Sequence, residues 1–184
     1  MNFLNIKTER LELIEIDKSG LQEMHEYSIK EDMYSFLEFL PHKTLADTEE
    51  YLQKLISRSE LDTGHYWFIK KIEENKIIGT FGVTDIDWRK KIGEVSYGIS
   101  PEFTRTGLFS EALNRVLHYL FKDLDFHRVC ATTRFDNIGS IKGLQKQGFE
   151  VEGRLKDFYL SHNGKRSDAL VLGILKKQFL SSGG

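Results

Sequence analysis

Arg105, Thr106 and Gly107 stand where the strand-like run ending in "SYGIS" (96–100) gives way to the helix-like run "GLFSEAL" (107–113). A helix begins with backbone N–H groups that have no intrahelical partner, and its aligned peptide dipoles leave partial positive charge there. Such an end binds phosphate. A glycine at the joint removes the Cβ that would hold an anion away, while Arg105 and the hydroxyls of Thr104, Thr106 and Ser110 supply further donors. The same residues also suit an ordinary helix start, with Thr106 as the cap and Gly107 easing the turn. Two phosphate loops are excluded. The stretch has no lysine followed by serine or threonine for a nucleoside triphosphate, and no triple-glycine fingerprint for a dinucleotide.

Other chemistries find little support. His25, His42, His65, His118, His127 and His162 are scattered without ligand spacing, so no metal site is expected. No nucleophile-elbow pattern occurs. The single cysteine, Cys130, lies in "RVCATT" (128–133) and reads as a small buried hydrophobe; alone, it excludes an internal disulfide framework. With 26 basic and 28 acidic residues the net charge is −2, which gives no general attraction to nucleic acid or to anionic membranes. "WRKK" (88–91) reads as a solvated turn. The first twenty residues alternate charged and apolar types, with neither a secretory core nor a spanning segment, and the expected location is cytoplasmic.

The elements that position these residues follow from periodicity. The chain has 184 residues and is 40% hydrophobic, enough for one core, and a single domain over 1–180 with a tail at 181–184 is expected. "RLELIEI" (10–16) alternates as a half-buried strand. Residues 21–40 carry mostly helical spacing up to Pro41, and 44–58 resume it. "HYWFIKKI" (65–72) and "KIIGTFGVTDID" (76–87) are strands about the turn "EENK" (73–76), and "KIGEVSYGIS" (91–100) is a fourth strand. From Gly107 the apolar pairs Leu108/Phe109, Ala112/Leu113, Val116/Leu117 and Leu120/Phe121 recur every four residues on one long amphipathic helix. "HRVCATTRF" (127–135) is a fifth strand. Residues 137–148 form a short helix between Asn137 and Gly148, and two long strands surround "HNG" (162–164). The sum is a mixed α/β sheet.

Taken in order, "GEVSYGIS", "PEFTRTGLFSEAL", "RVCATT" and "NIGSIKGLQKQGF" resemble the GNAT superfamily of acetyl-CoA-dependent N-acetyltransferases, and within it the RimJ/RimL-like branch that acetylates protein N-terminal amines. The opening "TERLELIEI" and the closing "EGRLKDFYLSHNGKRSDALVLGIL" extend the resemblance to nearly the whole chain. It implies a mostly antiparallel, twisted sheet flanked by helices and splayed between its fourth and fifth strands. The pantetheine arm of acetyl-CoA would pair with Tyr97, Gly98 and Ile99. The diphosphate would rest on the amides of Arg105, Thr106, Gly107, Leu108, Phe109 and Ser110. The family signature, Gln or Arg, two variable residues, Gly, one variable residue, then Gly or Ala, reads here Thr104-Arg105-Thr106-Gly107-Leu108-Phe109. Its first and last positions depart.

Acetyl transfer to an amine needs a base for the ammonium and an acid for the departing thiolate. The resemblance implies Glu94 as the first candidate base and Asp157 as the second. Strand alternation would point Asp157 and Tyr159 the same way, and Tyr159 stands about where some relatives carry a glutamate. The tyrosine acid of many members is replaced by Leu144. Ser140 then matches the serine proposed for the thiolate, and Asn137 the asparagine that binds pantetheine; both also suit plain helix capping. Gly139 and Gly143 suggest close approach of cofactor or sheet. Glu31, Asp32 and Glu38 lie in the segment that walls the acceptor pocket in relatives. The first acceptor implied is a protein N-terminus, then a small amine such as a polyamine, an aminoglycoside or an amino sugar. A non-catalytic acyl-CoA-binding module is the rival from another class. The sheet edges offer a surface for a homodimer.

Overall fold

Alternation of apolar and polar residues builds the sheet, and the structure, a computed structural model that describes residues 4–181, extends it to eight strands among those residues. They are β1 (Ile6–Lys7), β2 (Leu11–Glu15), β3 (Gly64–Lys71), β4 (Lys76–Asp87), β5 (Ile92–Ile99), β6 (Arg128–Arg134), β7 (Glu150–Leu160) and β8 (Arg166–Leu175). The spatial order is β1-β2-β3-β4-β5-β6-β8-β7. Every pairing is antiparallel except β5 with β6. The expected fourth and fifth strands are therefore β5 and β6, because the two-residue β1 is too short to leave a periodic signal.

Among the described residues five α-helices cover the sheet: α1 (Leu21–Ser28), α2 (Leu45–Glu60), α3 (Leu108–His118), α4 (Ile138–Lys146) and α5 (Lys176–Ser181). On β3, Trp67 and Ile69 pack with Phe81, Val83, Val95 and the apolar stripe of α3, while Tyr66 and Phe68 pack with α1 and α2 on the opposite face. Coverage on both faces explains why β3 reads as an unbroken apolar run. The stripe of α3 continues through a π turn (Tyr119–Asp123) that buries Leu120 and Phe121. Thr44 and Asp47 form a reciprocal capping box that starts α2.

Three expectations are corrected. The helix expected over 21–40 stops at Ser28, whose carbonyl accepts hydrogen bonds from the Tyr34 hydroxyl (2.7 Å) and from His42 N–H (3.0 Å). Tyr34 turns back and is 8% exposed, so tertiary burial overrides the helical spacing, and only a 3-10 turn (Glu31–Tyr34) remains. Ser181, assigned to the tail, closes α5; residues 182–184 lie outside the described residues. Asp157 sits in a bulge of β7 where pairing shifts between Leu155 and Tyr159, with a left-handed φ of 51°, so strand alternation with Tyr159 fails there.

β4 approaches β5 closely enough to demand glycine. A Cβ on Gly79 would stand 2.2 Å from the Gly98 carbonyl oxygen. Gly79→Ala is expected to destabilise the protein by about 1–3 kcal/mol through overpacking against backbone, read as a lower midpoint in urea with an unchanged slope.

Candidate active site

The decisive geometry is a parting of two strands. β5 and β6 pair only through Ile92–Arg128, Gly93–Val129 and Glu94–Cys130. Beyond Glu94, β5 keeps β4 as its neighbour and β6 keeps β8. The edge of β5 over 95–99 thus faces a wedge, with backbone groups that no strand pairs on that side.

The loop of Arg105, Thr106 and Gly107 follows β5 after one 3-10 turn (Pro101–Phe103). Gly107 is the N-cap of α3, has φ 84° and brings no side-chain cap; Arg105 is also left-handed at φ 62°. The ordinary reading, with Thr106 as cap, fails: its hydroxyl donates to the Phe103 carbonyl at 2.6 Å, and that of Thr104 donates to Pro101 at 2.7 Å. The amides at the start of α3, those of Leu108, Phe109 and Ser110, are left to other acceptors. Sequence reasoning missed Arg10. Its Nη1 donates to the Thr106 carbonyl at 3.2 Å, and its Nε meets Glu111 at 2.6 Å. Glu111 also accepts from Thr8 and from Arg10 N–H. Burial works to raise the Glu111 pKa, but these bonds outweigh it and hold the carboxyl below its ordinary value. Arg10 and Glu111 lie 101 residues apart, and no local pattern joins them.

Across the wedge, the hydroxyls of Tyr97 and Ser140 are hydrogen-bonded at 2.7 Å. Burial pushes the Tyr97 pKa up to about 12 in spite of that bond, so the phenol is neutral. Asn137 Oδ1 accepts from Ser140 N–H at 3.1 Å and caps α4. Phe109, the departure from the family signature, packs on the Tyr97 ring with centroids 4.2 Å apart. Gly143 makes room for it, since a Cβ there would lie 2.7 Å from the Phe109 ring. A side chain of α3, rather than cofactor or sheet, explains Gly143. At Gly139 a Cβ would meet only Asn137 Oδ1, at 3.8 Å, so the sheet does not crowd it.

On the α1–α2 face of the sheet lies a cavity of 510 Å³ walled by Tyr27, Tyr34, Phe39, Tyr51 and Tyr66, and reaching Ser96, Tyr97 and Gly98 of β5. Glu94 is on the same face as Ser96 and Gly98 by alternation, opposite Thr84 of the cavity wall, at the apex of the wedge. The hairpin reaches this region through Tyr159, whose pKa is raised to about 12 by burial and by the charges of Glu94 and Glu38. Glu38 Oε1 accepts from Leu160 N–H at 2.7 Å and ties the loop before α2 to β7. Asp157 is exposed, donates its N–H to Asp168, and does not line the cavity. Neither do Glu31, Asp32 and Glu38, and Glu94 borders the cavity at the apex without lining it. Cys130 is half-buried, and burial raises its pKa although Arg128 lies beside it.

A model of the acetyltransferase (GNAT) domain matches residues 10–150. The chain belongs to the GNAT acetyltransferase family. As such it is an acetyl-CoA-dependent N-acetyltransferase. Over 171 residues this acetyltransferase is 26% identical to YoaA of Bacillus subtilis, an uncharacterised N-acetyltransferase, covering 93% of this chain and 96% of that one. It shares its fold with RimL, a ribosomal L7/L12 α-N-protein acetyltransferase solved with coenzyme A, at a TM-score of 0.85 and 20% identity, covering 94% of this chain and 98% of that one. The spermidine N-acetyltransferase of Vibrio cholerae, solved with CoA and spermine, superposes with a TM-score of 0.81 at 21% identity, covering 94% and 99%. The residues present fit acetyl-CoA: an uncapped helix start, a left-handed glycine at its joint and the unpaired edge of β5.

Two outcomes follow for this acetyltransferase. Gly107→Asp adds bulk, charge and strain at φ 84°, and is expected to abolish acetyl-CoA binding by calorimetry while the fold persists; unchanged affinity would remove the loop from the site. Gly143→Ala is expected to destabilise by about 1–3 kcal/mol, and Phe109→Ala in the same chain to relieve most of that penalty, as a double-mutant cycle of urea midpoints would read.

Proposed function

We propose that this acetyltransferase moves the acetyl group of acetyl-CoA to the primary amine of a small molecule held in the aromatic cavity, by direct attack in a ternary complex. One observation carries the reading: the cavity reaches Ser96, Tyr97 and Gly98, the stretch of β5 that borders the wedge. Acetyl-CoA supplies the activated thioester. In this reading Tyr97, Gly98 and Ile99 offer backbone partners to its pantetheine, and the amides from Arg105 to Ser110 receive its diphosphate. Arg10 holds that loop in shape through the Thr106 carbonyl.

An alkyl amine near pKa 10 is mostly protonated at neutral pH. Glu94, at the apex, takes the first proton and passes it to solvent. The nitrogen then forms the C–N bond as the C–S bond breaks. Ser140 gives its proton to the departing sulfur and is restored by the second proton lost from nitrogen. Tyr97, neutral and bonded to Ser140, holds that hydroxyl in place. Asp157 has no part, being exposed in the bulge. Cys130 forms no covalent intermediate, because burial keeps its thiol protonated.

The protein N-terminus first implied by the sequence needs a cleft open to a polypeptide. The Glu38–Leu160 hydrogen bond bridges the loop and the hairpin on that side, which favours a small acceptor. Incubating the protein and acetyl-CoA with N-terminal peptides, polyamines, aminoglycosides and amino sugars, then reading products by mass spectrometry, tests the reading. An acetylated small amine supports it. A peptide product restores the N-terminal reading, and no product in a sample that binds acetyl-CoA leaves either an acceptor outside these classes or a binding module. Glu94→Gln is expected to lower kcat about a hundredfold or more at neutral pH, with the loss shrinking as pH approaches the amine's own pKa. Ser140→Ala is expected to slow turnover far more than it weakens CoA binding; full turnover would leave Ser140 and Asn137 as capping residues only.

A further inference from the structure

The cavity's charges narrow its ligand. Of the described residues that line it, only Arg58 and Asp85 are charged; the rest are aromatic, aliphatic, hydroxyl-bearing or glycine. The polar ends of two rings are already engaged. The Tyr27 hydroxyl is bonded to Thr80 at 2.6 Å, and that of Tyr34 donates to the Ser28 carbonyl at 2.7 Å. Their faces therefore present carbon to the interior. Met33 lies over Gly98, where a Cβ would be 3.1 Å from its methyl group.

Arg58 is different. It stands at the cavity rim in the last turn of α2, exposed, and donates from Nη1 to the Tyr66 hydroxyl at 3.1 Å. No ion pair to Arg58 is formed among the described residues; Asp85 acts on it only through its field. The guanidinium keeps donors free for a planar anion. Its place relative to the chemistry follows from register. The Tyr66 ring leans toward Gly64, where a Cβ would lie 3.4 Å from the phenol oxygen. Gly64 pairs with Thr84, and Thr84 with Glu94. Gly64 and Glu94 thus end one row of the sheet, two strand spacings or about 10 Å apart, with the Arg58 guanidinium at the Gly64 end through the Tyr66 hydroxyl.

We propose that the acceptor is a monoamine carrying one anionic group on an apolar or aromatic body, its anion on Arg58 and its amine turned toward Glu94. A polyamine suits this chamber poorly. Its second and third ammonium groups would meet the Arg58 guanidinium, of like charge, at the end of the cavity opposite Glu94. The proposal rests on the acetyl-transfer reading above and adds the class of molecule that the cavity admits.

The test compares para-(aminomethyl)phenylacetate, its primary amide and spermidine as acceptors, following CoA thiol release and product mass, with phenylacetate as an amine-free binding probe by calorimetry. The wild-type protein is expected to favour the carboxylate over the amide, and either over spermidine, in kcat/KM. Arg58→Gln is expected to lower kcat/KM for the carboxylate roughly ten- to hundredfold, the scale of a charge-assisted hydrogen bond, to leave the amide within about twofold, and to weaken phenylacetate binding. Preference for spermidine, or an equal effect of Arg58→Gln on carboxylate and amide, overturns this inference while leaving acetyl transfer intact. No turnover of any of the three acceptors overturns the reading of a small amine in this cavity; phenylacetate binding that depends on Arg58 would then still support the anion site, and its absence would remove both.

Discussion

The parting of β5 from β6 after Glu94 is the constraint on which the rest of the molecule depends. A parallel pair that ended together would seal the sheet and leave the backbone of 95–99 fully used. Here pairing stops after three registers, while both strands run on with their outer neighbours. The unpaired edge, the loop after it and the first turn of α3 then form one continuous line of backbone donors and acceptors. Two devices outside the wedge hold that line. Gly79 lets β4 approach β5 closely, and the Arg10–Glu111 pair, 45% and 19% exposed at the side chain, fastens the loop to the bend between β1 and β2.

The two faces of the sheet do different work at the wedge. On the α3 face, Phe109, Gly143, Tyr97 and Ser140 fit as one packed unit, with the ring of Phe109 against Tyr97 and the two hydroxyls joined beyond it. The residue that departs from the family signature is thus matched by a glycine one helix away. On the α1–α2 face, rings rather than charges build the wall. Desolvation raises the pKa of Tyr27 and Tyr51 further above neutrality, and the charged lining residues are Arg58 and Asp85.

The closure of that chamber comes from the segment between α1 and α2. Tyr34 folds back onto Ser28, Phe39 meets Tyr34 and Tyr51 edge-on or tilted, and Glu38 reaches Leu160 of the hairpin. His25 and His42 both bond Thr48, which is fully buried behind this wall and has one hydroxyl proton to share between them. Each contact joins residues that local periodicity treats as unrelated.

The sequence by itself determined the order of the main strands and helices, the joint at Gly107, the cap at Asn137 and the family, because strand alternation, helical stripes and turn residues are local signals read over a few positions. It also marked Glu94 and Ser140 as worth attention, though only through resemblance. Only the tertiary structure decided that the helix begun at Leu21 stops at Ser28, that Asp157 falls in a bulge, that Thr106 does not cap α3, that Phe109 pairs with Gly143, and that Arg10 and Arg58 stand beside the loop and the cavity. These depend on contacts that lie off the helical and strand periods, some a few residues apart and others, such as Arg10 with Glu111, 101 apart, where burial and hydrogen bonding outweigh local preference, and a periodic pattern carries no record of which residue will fill a space.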